Sequence, residues 1–521
     1  MKKIKYLTLV IWIHVILITS CVGDLNVQPI DPNQITSANV YESVADYEKG
    51  LAKLYATFAL SGQQGPDGQP DIEGIDEGFG NYLRQYWNSQ VLSTDEAVLS
   101  WNDATIKDFH WHTWTATDVF LAALYSRIMY TVALSNEFIR ATIGNENEEI
   151  KRFHAEARFL RALAYSHAID LFGNPSFVTE DDLPGAFFPE QISRSDLFSY
   201  IETELLAIES DLGDPGFEYA RADKSAAWMV LAKLYLNAEV YIGSAKYTEC
   251  IEVLNKVLTG PHQLASDFRH NFVADNHTSP EVIFPITYDG VNTQSWGGMV
   301  YLVHAQIGGS MQAYDMFGTA DAWAGLRTTS AIIEKFDLDN DARALFWTDG
   351  QSLEINDIGV FTEGYASTKF RNRKLDGSPS ASDHNVQVDT DWPMFRLADA
   401  YLMYAEATVR GGQGGSRGQA LDLVNDLRER AFGDTSGNIS DSELDLDFIL
   451  DERARELFWE GHRRTDLIRF GKFTGGDYLW PWKGKVAEGV ATDAHRDLYP
   501  IPSTEIGANP QILQNAGYSG N

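Results

Sequence analysis

Two histidines, His110 and His112, stand two residues apart in the stretch HWHTW at 110–114. On a strand that spacing would turn both rings to one side, where they could grip a metal ion. No third ligand accompanies them, so they read as structural and no metal is assigned. DLDND at 337–341 opens like an EF-hand loop, but Ala342 stands where glycine must turn the chain and Thr348 where a bidentate glutamate is needed. That pair of departures removes calcium from consideration. RGGQGGSRG at 410–418 lacks the spacing of a dinucleotide loop and reads as a flexible connector between two helices. No H-E-x-x-H, G-x-S-x-G or P-loop occurs, and no cofactor is implied. Among 74 Asp and Glu residues nothing singles out the carboxylate pair that a glycosidase places about a bond. Only two cysteines are present, which excludes a disulfide framework and a Cys-rich metal site. Cys250 falls in a helical pattern and reads as a small buried apolar residue.

Cys21 has a different setting. Lys2, Lys3 and Lys5 form a basic head, and Tyr6 to Thr19 is an apolar run of 14 residues. That is too short to span a bilayer and suits a secretory signal. The run ends in Ile18-Thr19-Ser20-Cys21, which resembles the lipobox of bacterial lipoproteins, where the thiol accepts diacylglycerol before cleavage. Two or more acyl chains anchor a protein stably. Residues 1–20 are therefore expected to be a lipoprotein signal peptide and residues 21–37 a lipidated, proline-containing tether. Loss of residues 1–20 takes away three lysines and no acid, carrying the formal net charge of −33 to −36. A surface so negative repels phosphate backbones, and nucleic acid is excluded as a partner.

The elements that must position any site are mainly helical. Hydrophobic residues make up 44% of the chain, a globular composition. The periodicity predicts helices over 119–141 and over 151–171, where Leu160, Leu163, Ala164, His167, Ala168 and Leu171 share a face. Gly173 and Pro175 end the second, and His167 reads as a packed histidine. In SAAWMVLAKLYLNAEVY, Trp228, Leu231, Ala232 and Tyr235 fit the spacing of a tetratricopeptide repeat, with alanine in place of glycine. AKYTECIEVLNKVLTG supplies its partner helix, and FRLADAYLMYAEATVRGG with SRGQALDLVNDLRERAFG forms a second such pair. The fold class is therefore mostly α: a solenoid of tetratricopeptide-like helix pairs. The expected divisions are an N-terminal repeat region over 38–260, a loop-rich lobe with short strands such as SPEVIFPITYD over 261–394, and a C-terminal helical region with its tail over 395–521. Binding is expected in the lobe and in the long loop SGQQGPDGQPDIEGIDEG.

Four stretches together resemble the SusD/RagB family of Bacteroidetes surface lipoproteins: AEARFLRALAYSHAIDLFGNP (155–175), FRLADAYLMYAEA (395–407), DERARELFWEGHRRTDLIRFGKF (451–473) and LYPIPSTEIGANPQILQNAGY (498–518). These motifs read as structural. In the third, Leu450, Ala454, Leu457 and Phe458 form a buried stripe, while Arg453 and Glu456 fall off it and are placed to pair with each other. The resemblance implies a cell-surface glycan-binding lipoprotein of the outer membrane, facing the exterior. Such a protein caps a SusC-like TonB-dependent transporter and delivers oligosaccharide to it without catalysis. The alternatives are a secreted glycoside-processing enzyme, a binder of another nutrient such as peptide, or a scaffold that only holds a partner.

A sugar offers apolar C–H faces and a rim of hydroxyls, so its site needs aromatic rings in loops with amide, carboxylate or guanidinium groups beside them. Trp101, followed by Asn102 and Asp103, lies in a region that resembles the family's first sugar-contacting loop, and Trp323 in one that resembles its second platform. Trp296, flanked by glycines, is a third candidate, and Arg84 and Asp76 are candidate rim groups. Trp111, Trp114, Trp228 and Trp459 are assigned to packing.

Overall fold

A computed structural model describes residues 40–182, 185 and 187–519. The signal peptide, Cys21 and the tether lie outside the described residues. Among the described residues, those up to Tyr47 and those from Glu48 onward fall into separate units, and the elements that position the site belong to the second.

Helices α1 (Val44–Ala59), α2 (Tyr82–Trp87) and α3 (Ile106–Trp111) precede the repeats. Then α4 (Val119–Thr142) packs on α5 (Glu148–Leu171), α5 on α6 (Arg194–Ile208), α6 on α7 (Lys224–Leu236) and α7 on α8 (Tyr247–Leu258). Each start has a local cause. Asp118, Asn147, Ser193 and Asp223 cap α4 to α7 by accepting hydrogen bonds from backbone N–H groups of the first turn. Past the end of α5, Gly173 adopts the left-handed conformation (φ +73°) that a helix stop favours. His167 is buried and its Nδ1 lies 2.8 Å from the Tyr82 hydroxyl; Cys250 is buried and free.

The chain then leaves the solenoid for the lobe, which carries α9 (Gly298–Ala305) and several short strands, and returns as α10 (Leu397–Val409), followed by α11 (Arg417–Phe432). Helices α8 and α10 pack directly on each other, so the lobe is looped out between consecutive repeat helices without separating them. Gly412 fits closely against Ile251 and Tyr247 of α8, and Gln413 N–H donates to Thr248 Oγ1 at 3.0 Å. The 410–418 connector is thus seated on the preceding repeat and is not the free linker its glycines suggested.

Strands β1 (Val98–Leu99), β2 (Val282–Ile286), β3 (Leu326–Arg327) and β4 (Trp392–Arg396) make two antiparallel ribbons, β1 with β3 and β2 with β4. In the second, Val282 lies opposite Arg396. Arg396 is buried and bonds Glu281 (2.7 Å), Glu456 (2.6 Å) and Glu460 (2.6 Å). The cluster ties the base of the lobe to α12 (Leu446–Glu456) and the turn after it. The expected pairing of Arg453 with Glu456 is not made. Arg453 bonds Asp399 (2.9 Å) and Asp466 (2.8 Å), the latter on α13 (Arg463–Arg469), whereas Glu456 faces Arg343, Arg396 and Arg430. Arg453 and Glu456 are both buried at the end of α12 and find their partners on other elements, whereas Arg455 pairs with Glu452 of the same helix at 2.6 Å.

Candidate functional site

The β1–β3 register sets the site. Leu99 lies opposite Leu326, and the pairing runs on through Ser100, whose N–H donates to Gly325 O (2.9 Å) and whose hydroxyl donates to Ala324 O (2.7 Å). The next residue, Trp101, therefore arrives beside Trp323, and its indole N–H donates to Trp323 O at 3.0 Å. Gly325 permits this approach: a Cβ there would stand 2.7 Å from Trp101 Cε2. Ala324, at φ +48°, turns the chain between the two.

Helix α9 holds the other side. The N–H groups of Trp323, Ala324 and Gly325 donate to the carbonyls of His304, Ile307 and Ala305, at and just past the end of α9, satisfying acceptors that the helix leaves open. Trp296 stands just before the start of the same helix. Tyr301 and His304, one turn apart, back the rings. Tyr301 meets Trp101 edge-on at 5.9 Å, and the His304 ring lies 4.7 Å from Trp323 at 31°. His304 Nδ1–H donates to Val300 O (3.0 Å), and Nε2 is 3.3 Å from Asp321 Oδ1. Burial lowers the pKa of His304, while Asp321 acts to raise it.

The result is a continuous arc. Trp101 and Trp323 have ring centroids 6.3 Å apart and tilted by 49°; Trp323 and Trp296 are 6.5 Å apart and tilted by 46°. All three rings are half-buried. The long 61–80 loop reaches in to fix one end, since Trp296 Nε1–H donates to Asp67 Oδ1 at 2.7 Å.

Polar groups rim the arc. The Arg84 guanidinium lies 4.4 Å from the Tyr301 ring centre and 5.9 Å from that of Trp101, and donates to Gly78 O (3.2 Å). Burial pulls its pKa down, opposed by Tyr301, Asp103 and Asp76. Asp76 accepts from the N–H groups of Gly78 and Phe79 through Oδ1, which holds the loop that in turn receives Arg84. Asn102 accepts from Lys107 Nζ through Oδ1 (2.6 Å), which leaves its amide N–H₂ to donate. The fold thus brings Trp101, Trp323, Trp296, Asn102, Arg84 and Asp76 into one neighbourhood. Tyr301, His304 and Asp67 were not singled out from the sequence. In GMVYLVHA, Tyr301 and His304 are the two residues with a polar tip on an apolar helix, three apart, directly after NTQSWGG; that pattern is the signal they offered.

The histidines of HWHTW do not converge on a metal. His110 Nε2 meets Pro481 O (3.0 Å) and His112 Nε2 meets Ser93 O (2.7 Å), both buried. Among the described residues no cluster of His, Cys, Asp and Glu is arranged to hold a metal ion.

A helix-pair solenoid that loops out one lobe, with an aromatic arc on the ribbon at its edge, defines a class of protein that comparison now names. The profile of the SusD family matches residues 337–518. The Starch-binding protein SusD of Bacteroides thetaiotaomicron is 34% identical over 556 aligned residues, covering 96% of each chain. The chain belongs to the SusD family. SusD-like protein P25 of Formosa agariphila is 25% identical over 97% of this chain and 98% of its own. Among solved structures, a SusD superfamily protein from Bacteroides vulgatus superposes with a TM-score of 0.71 at 19% identity, covering 92% of this chain and 99% of that one. The surface glycan-binding protein A of Bacteroides thetaiotaomicron, solved with laminarihexaose, superposes at 0.68 with 18% identity, covering 90% and 99%.

Proposed function

We propose that this protein binds carbohydrate, without catalysis, on the arc of Trp101, Trp323 and Trp296. The arc itself carries the reading: three adjoining indole faces stand beside an arginine, an amide and a carboxylate, the combination that a sugar's C–H faces and hydroxyl rim require. Successive tilts of 49° and 46° suit a chain that curves as it passes, and not a flat ribbon. That curvature, with the starch-binding relative at 34% identity, makes an α-1,4-linked glucan the first ligand to test. Of the carboxyl groups that burial pushes up to about 6, Asp118 caps α4 through Oδ1, and Asp391 accepts from Tyr288 N–H and from the Tyr219 hydroxyl. Neither is among the groups that rim the arc, which favours binding over glycoside hydrolysis.

The decisive experiment is calorimetric titration of maltoheptaose into the protein and into Trp323→Ala, with a melting curve of each. Loss of a stacking face is expected to raise Kd about tenfold or more, corresponding to about 1–3 kcal/mol, with little change in melting temperature. Unchanged affinity with a collapsed melting temperature would make Trp323 a packing residue.

Two finer parts of the reading rest on the family resemblance. Cys21 is the lipid acceptor that holds the protein at the outer membrane, and the repeat face meets a TonB-dependent transporter that takes up the glycan. No helix among the described residues is long and apolar enough to cross a membrane. A Cys21→Ala variant that still partitions with outer membrane in high salt would refute the first, and mild-detergent purification that repeatedly lacks a transporter would refute the second.

A further inference from the structure

A second aromatic platform stands in the lobe, at Tyr314. Tyr314 is 54% exposed, and its ring stacks on that of His384. His384 is fixed from several directions. Its N–H donates to Gly318 O (3.0 Å), its Nε2 accepts from Arg373 Nη2 (3.2 Å), and its Nδ1 lies 3.1 Å from Asp383 Oδ2. Because Nε2 accepts from the guanidinium, Nδ1 carries the proton and donates to the carboxylate. Arg373 also donates to Tyr314 O at 2.9 Å and pairs with Asp383 at 3.1 Å. His384 holds φ at +62°, a conformation costly for a side chain with a Cβ and kept only where the surroundings enforce it. An Arg–Asp pair and a strained backbone thus serve to back one exposed ring.

The segment that carries His384 is bonded near the middle of the arc and near one of its ends. Ala320 N–H, three residues before Trp323, donates to Asn385 O (3.2 Å). Ser295 N–H, one residue before Trp296, donates to Gln387 Oε1 (3.1 Å). Three residues of chain, one such cross-link and one further residue place the platform within about 20 Å of Trp323.

We infer that Tyr314, backed by His384, is an outlying subsite that receives a further pyranose of a chain already lying on the tryptophans. The inference rests on the glycan-binding reading above and adds a length preference to it. Such a subsite contributes only to ligands that extend past the arc.

The test is titration of maltotriose and of maltodecaose into wild type, Tyr314→Ala, Tyr314→Phe and Trp323→Ala, with melting curves. The subsite predicts that Tyr314→Ala raises Kd for maltodecaose about three- to tenfold while maltotriose is unaffected. Tyr314→Phe should retain wild-type affinity for both, and Trp323→Ala should weaken both. Loss on both ligands in Tyr314→Ala, or on neither, would overturn the subsite and leave the tryptophan arc standing. Failure of wild type to bind either sugar, or unaltered binding of both by Trp323→Ala, would overturn the arc and the subsite with it.

Discussion

Trp101 and Trp323 owe their positions to groups that touch no ligand. The Trp101 indole is held by one hydrogen bond to Trp323 O and by the missing side chain of Gly325. Gly325→Ala would place a methyl 2.7 Å from Trp101 Cε2 and 3.0 Å from Leu99 Cδ1, so the indole must swing out of the arc. The expected outcome is a fall in glycan affinity of about tenfold, from a residue that offers a sugar nothing. Titration checks the affinity, and a red-shifted tryptophan emission checks the displacement; wild-type affinity would show that Trp101 does not depend on this contact. The tryptophans could be proposed from the sequence because they stand in polar loops off any helical stripe. Their supports could not. Nothing in GMVYLVHA tells that Tyr301 and His304 face two tryptophans 222 residues apart, since that juxtaposition comes from the β1–β3 register. Two-residue strands leave almost no alternation to read.

At the scale of elements, the helices could be read well and their charges poorly. The 119–141 helix ends at Thr142, and Gly173 stops the next one, because caps and periodicity act locally. Arg453 and Glu456 pair with other elements because both are buried against them, and one-dimensional spacing carries no record of that. The ion cluster at the base of the lobe follows from the same enclosure. Arg396→Met would remove the one cation that Glu281, Glu456 and Glu460 all share, leaving Arg430 on Glu281 and Glu456 and Lys369 on Glu460. Breaking such a cluster is expected to cost about 3–5 kcal/mol. Chemical denaturation checks it, and a loss below about 1 kcal/mol would mean that the remaining arginines, Arg343 and Arg430, take over the carboxylates.

For the molecule as a whole, buried histidines make stability depend on pH. Burial holds His110 at about 4 and His167 and His462 at about 3, all below the value of about 6.5 in an unfolded chain. The unfolded state therefore takes up protons first. Stability is complete above about pH 6.5 and is lost as pH falls toward the folded values, by up to about 1.4 kcal/mol per histidine per pH unit. Below about pH 4 the carboxylates of Glu452 and Asp466, held near 2 by their arginine partners despite burial, add to the loss. Melting temperature should fall between pH 7 and pH 5, by less than the histidines alone would give, because Asp118 and Asp391, raised to about 6, take up protons in the folded state first and act in the opposite sense; a flat profile there would mean that the histidines do not outweigh these two carboxyls. The overall architecture was the most legible feature, because repeat spacing and family motifs extend along the chain. The lobe was recognised by composition alone, and its irregular backbone hid which loops meet. The claim on which everything else depends is that sugar lies on the three tryptophans. A crystal structure with maltoheptaose tests it most directly: the account predicts sugar density stacked in turn on Trp101, Trp323 and Trp296 with hydroxyls toward Arg84 and Asn102, and density elsewhere, such as the apolar recess lined by Tyr55 and Phe284, with the three indoles bare would contradict it.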